Sequence, residues 1–235
     1  MPKVTLLEPQ KSSKGRSAYG GKNPHRFNIF LDGTFAFGAD EDLVIEHRLV
    51  VGKILDTSDV KKLLFEVEVG KLMERMYRLW NIRPRSEKEI RDYLKSLSFK
   101  RKIKDQEDIS DAAVELLINK LKQKGLLNDE QFANVWVEAR RKSKKKGKIA
   151  LKMELIQKGI NRDIINEAIK QSSEEEQLLA ERALEKKIKV WEKLPYLEFK
   201  KKGMEFLLRR GFEYDVIKST IEKILQKRYN SREEE

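Results

Sequence analysis

Seven cations stand in nine positions between Arg140 and Lys148, in the run RRKSKKKGK. They are Arg140, Arg141, Lys142, Lys144, Lys145, Lys146 and Lys148. Like charges at helical spacing repel by about 0.2–0.5 kcal/mol per pair, so folding gains nothing from the run and a negative partner explains it. Phosphate is the partner whose chemistry fits. Each phosphate neutralised on duplex DNA adds about −0.9 to the slope of log affinity against log salt. No base-reading motif accompanies the run, so contact with nucleic acid is expected to ignore sequence. Smaller basic groups lie at Lys100–Lys104 (KRKIK), Lys200–Lys202 and Arg209-Arg210. Of these, Lys201, Lys202, Arg209 and Arg210 join the run as expected contact residues. Two plainer roles compete: a solvated helix end for the run, and for Arg210, just before Gly211, neutralisation of helix-end carbonyls.

Other chemistry finds little footing. There is no cysteine, which removes disulfides and thiolates. His25 and His47 have no metal-ligand spacing around them and read as ordinary surface or hairpin residues. Lys144–Lys148 lacks the flanking glycines and the Ser or Thr of a P-loop. The carboxylates are interleaved with Lys and Arg, and no pair has a companion motif. No catalytic, cofactor-binding or metal-binding residue is therefore expected. Charged residues make up 38 % of the 235, against about 25 % in ordinary globular domains. That suits a thin stack of helices better than a thick core. The 51 Lys and Arg against 39 Asp and Glu leave +12, a surplus that attracts polyanions. No apolar run reaches the roughly 18 residues of a membrane span, and the N-terminus carries no signal-like apolar stretch. A cytoplasmic location without membrane contact is the expectation.

The elements that must position the cations come next. Lys3–Leu7 reads as a short strand, and Gln10–Pro24, rich in Ser, Gly and Lys, as a mobile loop. In Arg26–Phe37, alternating residues flank Asp32-Gly33, a two-residue hairpin turn. A lone hairpin is marginal, so it should pair with the first strand and with something near Lys53–Asp56. A short helix is expected within Glu41–Val51. Thr57-Ser58-Asp59 is a helix start, and helix continues from Val60 nearly to the end. Around the basic run, Gly125 ends one helix and Asn128 or Asp129 caps the next. Asp129 and Glu130 place negative charge at its positive end. Phe132, Val135, Trp136 and Ala139 are read as its apolar face, and Ile149, Met153, Leu155 and Ile156 as that of the following helix.

An internal repeat orders these helices. LIQKGI at Leu155–Ile160 matches LLRRGF at Leu207–Phe212, 52 residues on. At the same offset Ile164, Ile165 and Ile169 meet Val216, Ile217 and Ile221. A weaker copy is Glu89–Phe99, with Ser98 in the glycine's place, followed after an insertion by Ile109–Leu121. The fold expected is mainly α: a β extension over 1–56, then three-helix repeats over 57–125, 126–172 and 173–235. Trp80, Trp136 and Trp191 mark the leading helix of each repeat and read as core.

Gly125–Ala133 (GLLNDEQFA), the basic segment and Glu154–Ile160 (ELIQKGI) together resemble the RecX family of recombinase regulators. Arg85-Ser86-Glu87 resembles its first-repeat signature; Asp129, Glu130, Phe132 and Ala133, with Gly159 beyond, its second; and Gly211-Phe212 its third. The N-terminal hairpin looks like the β extension of longer members. The resemblance implies a curved array of three-helix repeats with no cofactor. It also implies a partner, a RecA-type recombinase assembled as a filament on single-stranded DNA, whose ATPase, strand-exchange and co-protease activities the protein lowers. On that reading a monomer lies in the filament groove beside the phosphate backbone, and the basic residues above carry the electrostatic contact. A sequence-independent architectural DNA-binding protein is the competing reading, and a nuclease requiring a metal-binding carboxylate cluster is a third.

Overall fold

Asp32 and Gly33 both adopt positive φ, 48° and 81°, the mirror-image turn that matches the twist of paired strands. They join β2 (Arg26–Leu31) to β3 (Thr34–Asp40), and β1 (Val4–Pro9) pairs antiparallel on the other side of β2. The computed structural model describes residues 1–10, 26–170 and 176–233, with side chains described up to residue 227. Beyond Gln10 the expected loop lies outside the described residues, as does His25. In the sheet Ile29 sits opposite both Leu7 and Phe37. The expected fourth partner is there: Val4 N–H donates to the Lys53 carbonyl at 2.8 Å, and Lys3 bridges Ile54. A short helix, α1 (Glu41–Glu46), follows β3 directly.

The chain divides into two compact units. The first comprises Met1–Arg85 and Ile90–Leu127. Its long helix α2 (Thr57–Trp80) begins at the first residue of the Thr57-Ser58-Asp59 start signal, ahead of Val60. Asp56 is the N-cap, in a reciprocal capping box with Asp59. Leu63 and Val67 of α2 pack with Val4, Ile29, Phe37 and Leu49 of the extension. Further along, Leu72 and Met76 pack with Ile90 and Leu94 of α3 (Glu87–Lys102) and with Leu117 and Leu121 of α4 (Asp111–Gln123). Against expectation, α3 does not turn at Ser98. It runs on to Lys102, and Asp105 makes the left-handed turn at φ 50°. Gln106 N–H then donates to the Arg101 carbonyl at 3.1 Å, as in a Schellman ending. The Ser98 hydroxyl accepts the Ile109 N–H at 3.2 Å and returns the chain to the core. The inserted residues thus lengthen one helix and close a loop behind it.

The second unit holds Ser86–Glu89 and Asn128–Glu235. Its helices are α5 (Asp129–Lys144), α6 (Lys148–Gln157), α7 (Arg162–Lys170), α8 (Glu176–Val190), α9 (Tyr196–Arg209) and α10 (Tyr214–Glu233). The 52-residue register holds in three dimensions. Leu155, Ile160, Ile165 and Ile169 are buried, and so are Leu207, Phe212, Ile217 and Ile221. Gly159 and Gly211 both sit at φ 78°. The fold is mainly α, with three tandem three-helix repeats, α2–α4, α5–α7 and α8–α10, following a three-stranded antiparallel sheet in the sequence.

Two expected faces are rotated. In α5 the buried residues are Phe132, Ala133, Val137 and Arg141, while Val135 and Ala139 are exposed and Trp136 is half-buried. In α6 they are Leu151 and Leu155, while Ile149, Met153 and Ile156 are about half exposed. Trp80 and Trp191 are also only partly buried.

Candidate polyanion interface

Asn128 caps α5, its side chain accepting the Gln131 N–H at 2.9 Å. The helix then advances at about 100° per residue, which distributes the basic run around its end. Arg141 falls on the buried stripe with Ala133 and Val137. It is only 4 % exposed, and its guanidinium donates to Glu176 Oε1 at 2.8 Å. Arg141 therefore faces the interior rather than a phosphate. Arg140 lies over the Trp136 ring at 4.3 Å and pairs with Glu154 at 2.9 Å. Lys146 reaches the same carboxylate at 3.3 Å. Lys145 adopts a left-handed C-cap, φ 49°, and turns its ammonium to the Lys142 carbonyl at 2.5 Å. Lys142 and Lys144 are exposed, and Lys148 is half-buried.

The start of α6 and the end of α9 meet at this point. Gly147 N–H donates to the Arg210 carbonyl and Ile149 N–H to the Gly211 carbonyl, both at 2.9 Å. Lys148 N–H donates to Glu176 Oε2 at 3.3 Å. One helix's orphan donors are thus met by another's orphan carbonyls and a carboxylate, which answers the need at both ends. The Arg210 guanidinium donates to the Lys144 carbonyl, at the end of α5 rather than of its own helix, and lies over Phe206. The joint therefore brings Arg209 and Arg210 against the end of the basic run. Arg209 is exposed. Lys201 and Lys202 lie roughly 12–15 Å back along α9 at 1.5 Å per residue. Lys201 is exposed, and Lys202 pairs with Glu198 one turn away at 2.9 Å.

A parallel joint forms where the signature residues sit. Ser86, fully buried, donates to the Lys158 carbonyl at 2.8 Å and accepts the Glu89 N–H at 3.3 Å. Glu87 N–H donates to Asp129 Oδ1 at 3.1 Å. Lys88 donates to the Gln157 carbonyl at 3.1 Å, and Lys158 pairs with Glu89. Asp129 and Glu176 thus do equivalent work, each accepting a main-chain N–H from the start of α3 or α6. Phe132, Ala133 and Phe212 are core, and Glu130 is exposed in the first turn of α5. Arg85 lies two residues ahead of α3 and is half-buried. Sequence reasoning passed over Glu154, Glu176 and Gly147. Only Gly147 carried a signal, as the one uncharged, side-chain-free break in the run.

The two carboxylates of this region are shifted in opposite directions. Burial raises the Glu176 pKa above 4.5, opposed by the Arg141 charge and the Lys148 N–H and charge, and helped by Glu213. At Glu154 burial also raises the pKa. Hydrogen bonds from Trp136 and Lys146 and the charges of Arg140 and Lys146 outweigh it, leaving the pKa below 4.5. Burial alone lowers the Arg210 pKa.

Fold and site define a class: tandem three-helix repeats whose joints are closed by helix ends and faced with basic side chains. Comparison with known proteins narrows it. Residues 19–56 match the regulatory protein RecX N-terminal domain, 128–169 the second RecX three-helix domain and 174–221 the third. The chain is 34 % identical over 225 residues to regulatory protein RecX of Bacillus subtilis (strain 168), covering 95 % of this chain and 78 % of that one. It is 29 % identical to that of Clostridium perfringens (strain SM101 / Type A), covering 97 % and 99 %. A crystal structure of a regulatory protein RecX superimposes with a TM-score of 0.68 at 26 % identity, covering 94 % of this chain and 98 % of that one. RecX from Lactobacillus salivarius gives 0.55 at 26 % identity over 66 % and 96 %. This chain belongs to the RecX family of regulatory proteins. No described helix is long and apolar enough to cross a membrane.

Proposed function

We propose that this protein regulates homologous recombination and the SOS response by binding a RecA-type recombinase filament on single-stranded DNA. Bound there as a cytoplasmic monomer, it inhibits or disassembles the filament and lowers its ATPase, strand-exchange and co-protease activities. Family membership supports the recombinase as partner. The observation that carries the electrostatic part is the α6–α9 joint, which gathers cations from two repeats around one backbone junction. Lys142, Lys144, Lys145, Lys148, Lys201 and Arg209 are the proposed phosphate contacts. Arg140, Lys146, Lys202 and Arg210 divide their charge between such contacts and their protein partners. The repeats over 57–125, 126–172 and 173–235 act as one linked ligand, because contacts to several protomers raise effective concentration. The protein does no chemistry of its own.

The test is the recombinase's ATPase rate on single-stranded DNA, titrated with this protein. Inhibition well below one molecule per protomer, weakened in Lys142→Ala/Lys144→Ala, is the expected result. No effect at any ratio, with equal binding to bare DNA, would favour the second reading, a sequence-independent DNA-binding protein. The net charge of +12 speaks for that reading.

A further inference from the structure

Far along the sequence from the basic run, three metal-ligating side chains converge in the first unit: Glu46, His47 and Glu66. One ligand atom from each lies within 4.8 Å of the other two. Two adjacent residues and a third 19 positions on form no recognisable spacing, which is why the sequence did not reveal them. Glu46 is the last residue of α1 and His47 its C-cap, with the His47 N–H held by the Leu43 carbonyl. Lys53 donates its ammonium to the His47 carbonyl, which ties down the backbone of the residue while its imidazole faces Glu66. Glu66 comes from α2, and its Oε2 lies 2.6 Å from His47 Nε2. These two side chains are 19 % and 16 % exposed, while Glu46 stands at the rim and is exposed.

An ion pair would account for His47 and Glu66 alone. Glu46 adds a third candidate ligand atom at the same point. We propose that Glu46, His47 and Glu66 bind a divalent first-row transition cation, such as Zn²⁺ or Co²⁺. One imidazole nitrogen and two carboxylate oxygens would be the ligands, with water in the remaining positions. Imidazole with carboxylate suits these ions. Bonds of about 2.1 Å place neighbouring ligand atoms roughly 3.0–3.4 Å apart. The ring and the Glu66 carboxylate therefore need to part by less than about 1 Å to admit the ion. Bound there, the ion clips α1, and with it the end of β3, onto the first helix of the repeats. The site serves stability of the β extension and involves none of the basic contacts.

The test is titration of the full, EDTA-treated chain with Co²⁺, followed by visible absorption, and with Zn²⁺, followed by the melting temperature. The expected result is a saturable Co²⁺ spectrum and a melting point raised by several degrees, since a ligand that binds only the folded state stabilises it. Glu46→Gln, at an exposed position that leaves the fold intact, should weaken Co²⁺ binding at least the roughly tenfold that loss of even an outer-shell partner costs. His47→Gln should abolish the spectrum. Absence of both signals in the unaltered chain at about 1 mM metal, a thousandfold weaker than micromolar binding, would overturn the proposal. So would unchanged Co²⁺ binding in Glu46→Gln, which would put the ion elsewhere.

Discussion

Gly147 and Gly211 meet backbone to backbone. A Cβ on Gly147 would stand 2.5 Å from the Gly211 carbonyl oxygen, and one on Gly211 would stand 2.3 Å from the Ala150 nitrogen. Neither obstacle is a flexible side chain, so neither can yield without moving a helix end.

Gly147→Ala should therefore cost about 1–3 kcal/mol, the range for overpacking a tight contact. Gly211→Ala should cost about 1–2 kcal/mol more, because its φ of 78° is left-handed as well. Both changes break one junction, so the double variant should lose less than the sum of the singles. Urea midpoints of the four proteins check this.

The buried Arg141–Glu176 pair makes a different prediction. Removing either partner leaves a charge without compensation and should cost about 3–5 kcal/mol, whereas Arg141→Met with Glu176→Leu should recover much of that. DNA affinity of the stable double variant should match the parent, since Arg141 is 4 % exposed. A fall in affinity equal to that of Lys142→Ala would contradict the interior role.

Lys142, Lys144, Lys201 and Arg209 should each lower the salt dependence of DNA binding when changed to Ala. The slope of log affinity against log salt should shrink by about 0.9 per lost phosphate contact on duplex and about 0.7 on single strands. Titrations at several salt concentrations, on two unrelated sequences, measure it. The losses should be the same for both.

Acid should act oppositely on the two carboxylates. The Glu154 pKa is depressed in the fold, so its contribution is present above its unfolded value near 4.5 and is lost as pH falls through the lower folded value. Glu154→Gln should flatten the acid limb of a stability–pH curve. The Glu176 pKa is raised, so its contribution is full below 4.5 and is lost as pH rises through the higher folded value. Glu176→Gln should remove that decline and leave stability rising or level just above pH 4.5.

Much of this architecture was legible in the residues. The Asp32-Gly33 turn, the strand partner near Lys53 and the 52-residue register rest on local rules, and local rules sufficed. The face of α5 did not, because its buried stripe ends on Arg141. Periodicity counts arginine as polar and so chose Val135 and Ala139, which are exposed. The face of α6 failed for the opposite reason: Ile149, Met153 and Ile156 make it apolar on more than one side, and only packing selects Leu151 and Leu155. Ser98 marked the right node of the first repeat, but the helix passes through it because the insertion supplies another turn at Asp105. The basic run looked like one surface. Its division between interior and solvent depended on Glu154 and Glu176, which come from other helices.

Main-chain groups, with the Glu176 carboxylate, close the junction between α6 and α9. At its closest approach Gly147 and Gly211 leave no room for a side chain. The exposed cations Lys142, Lys144, Lys201 and Arg209 are not among the groups that close it. Cations on its rim can be gained, lost or moved during divergence without loosening the link, so binding preference can drift while the scaffold stays in place.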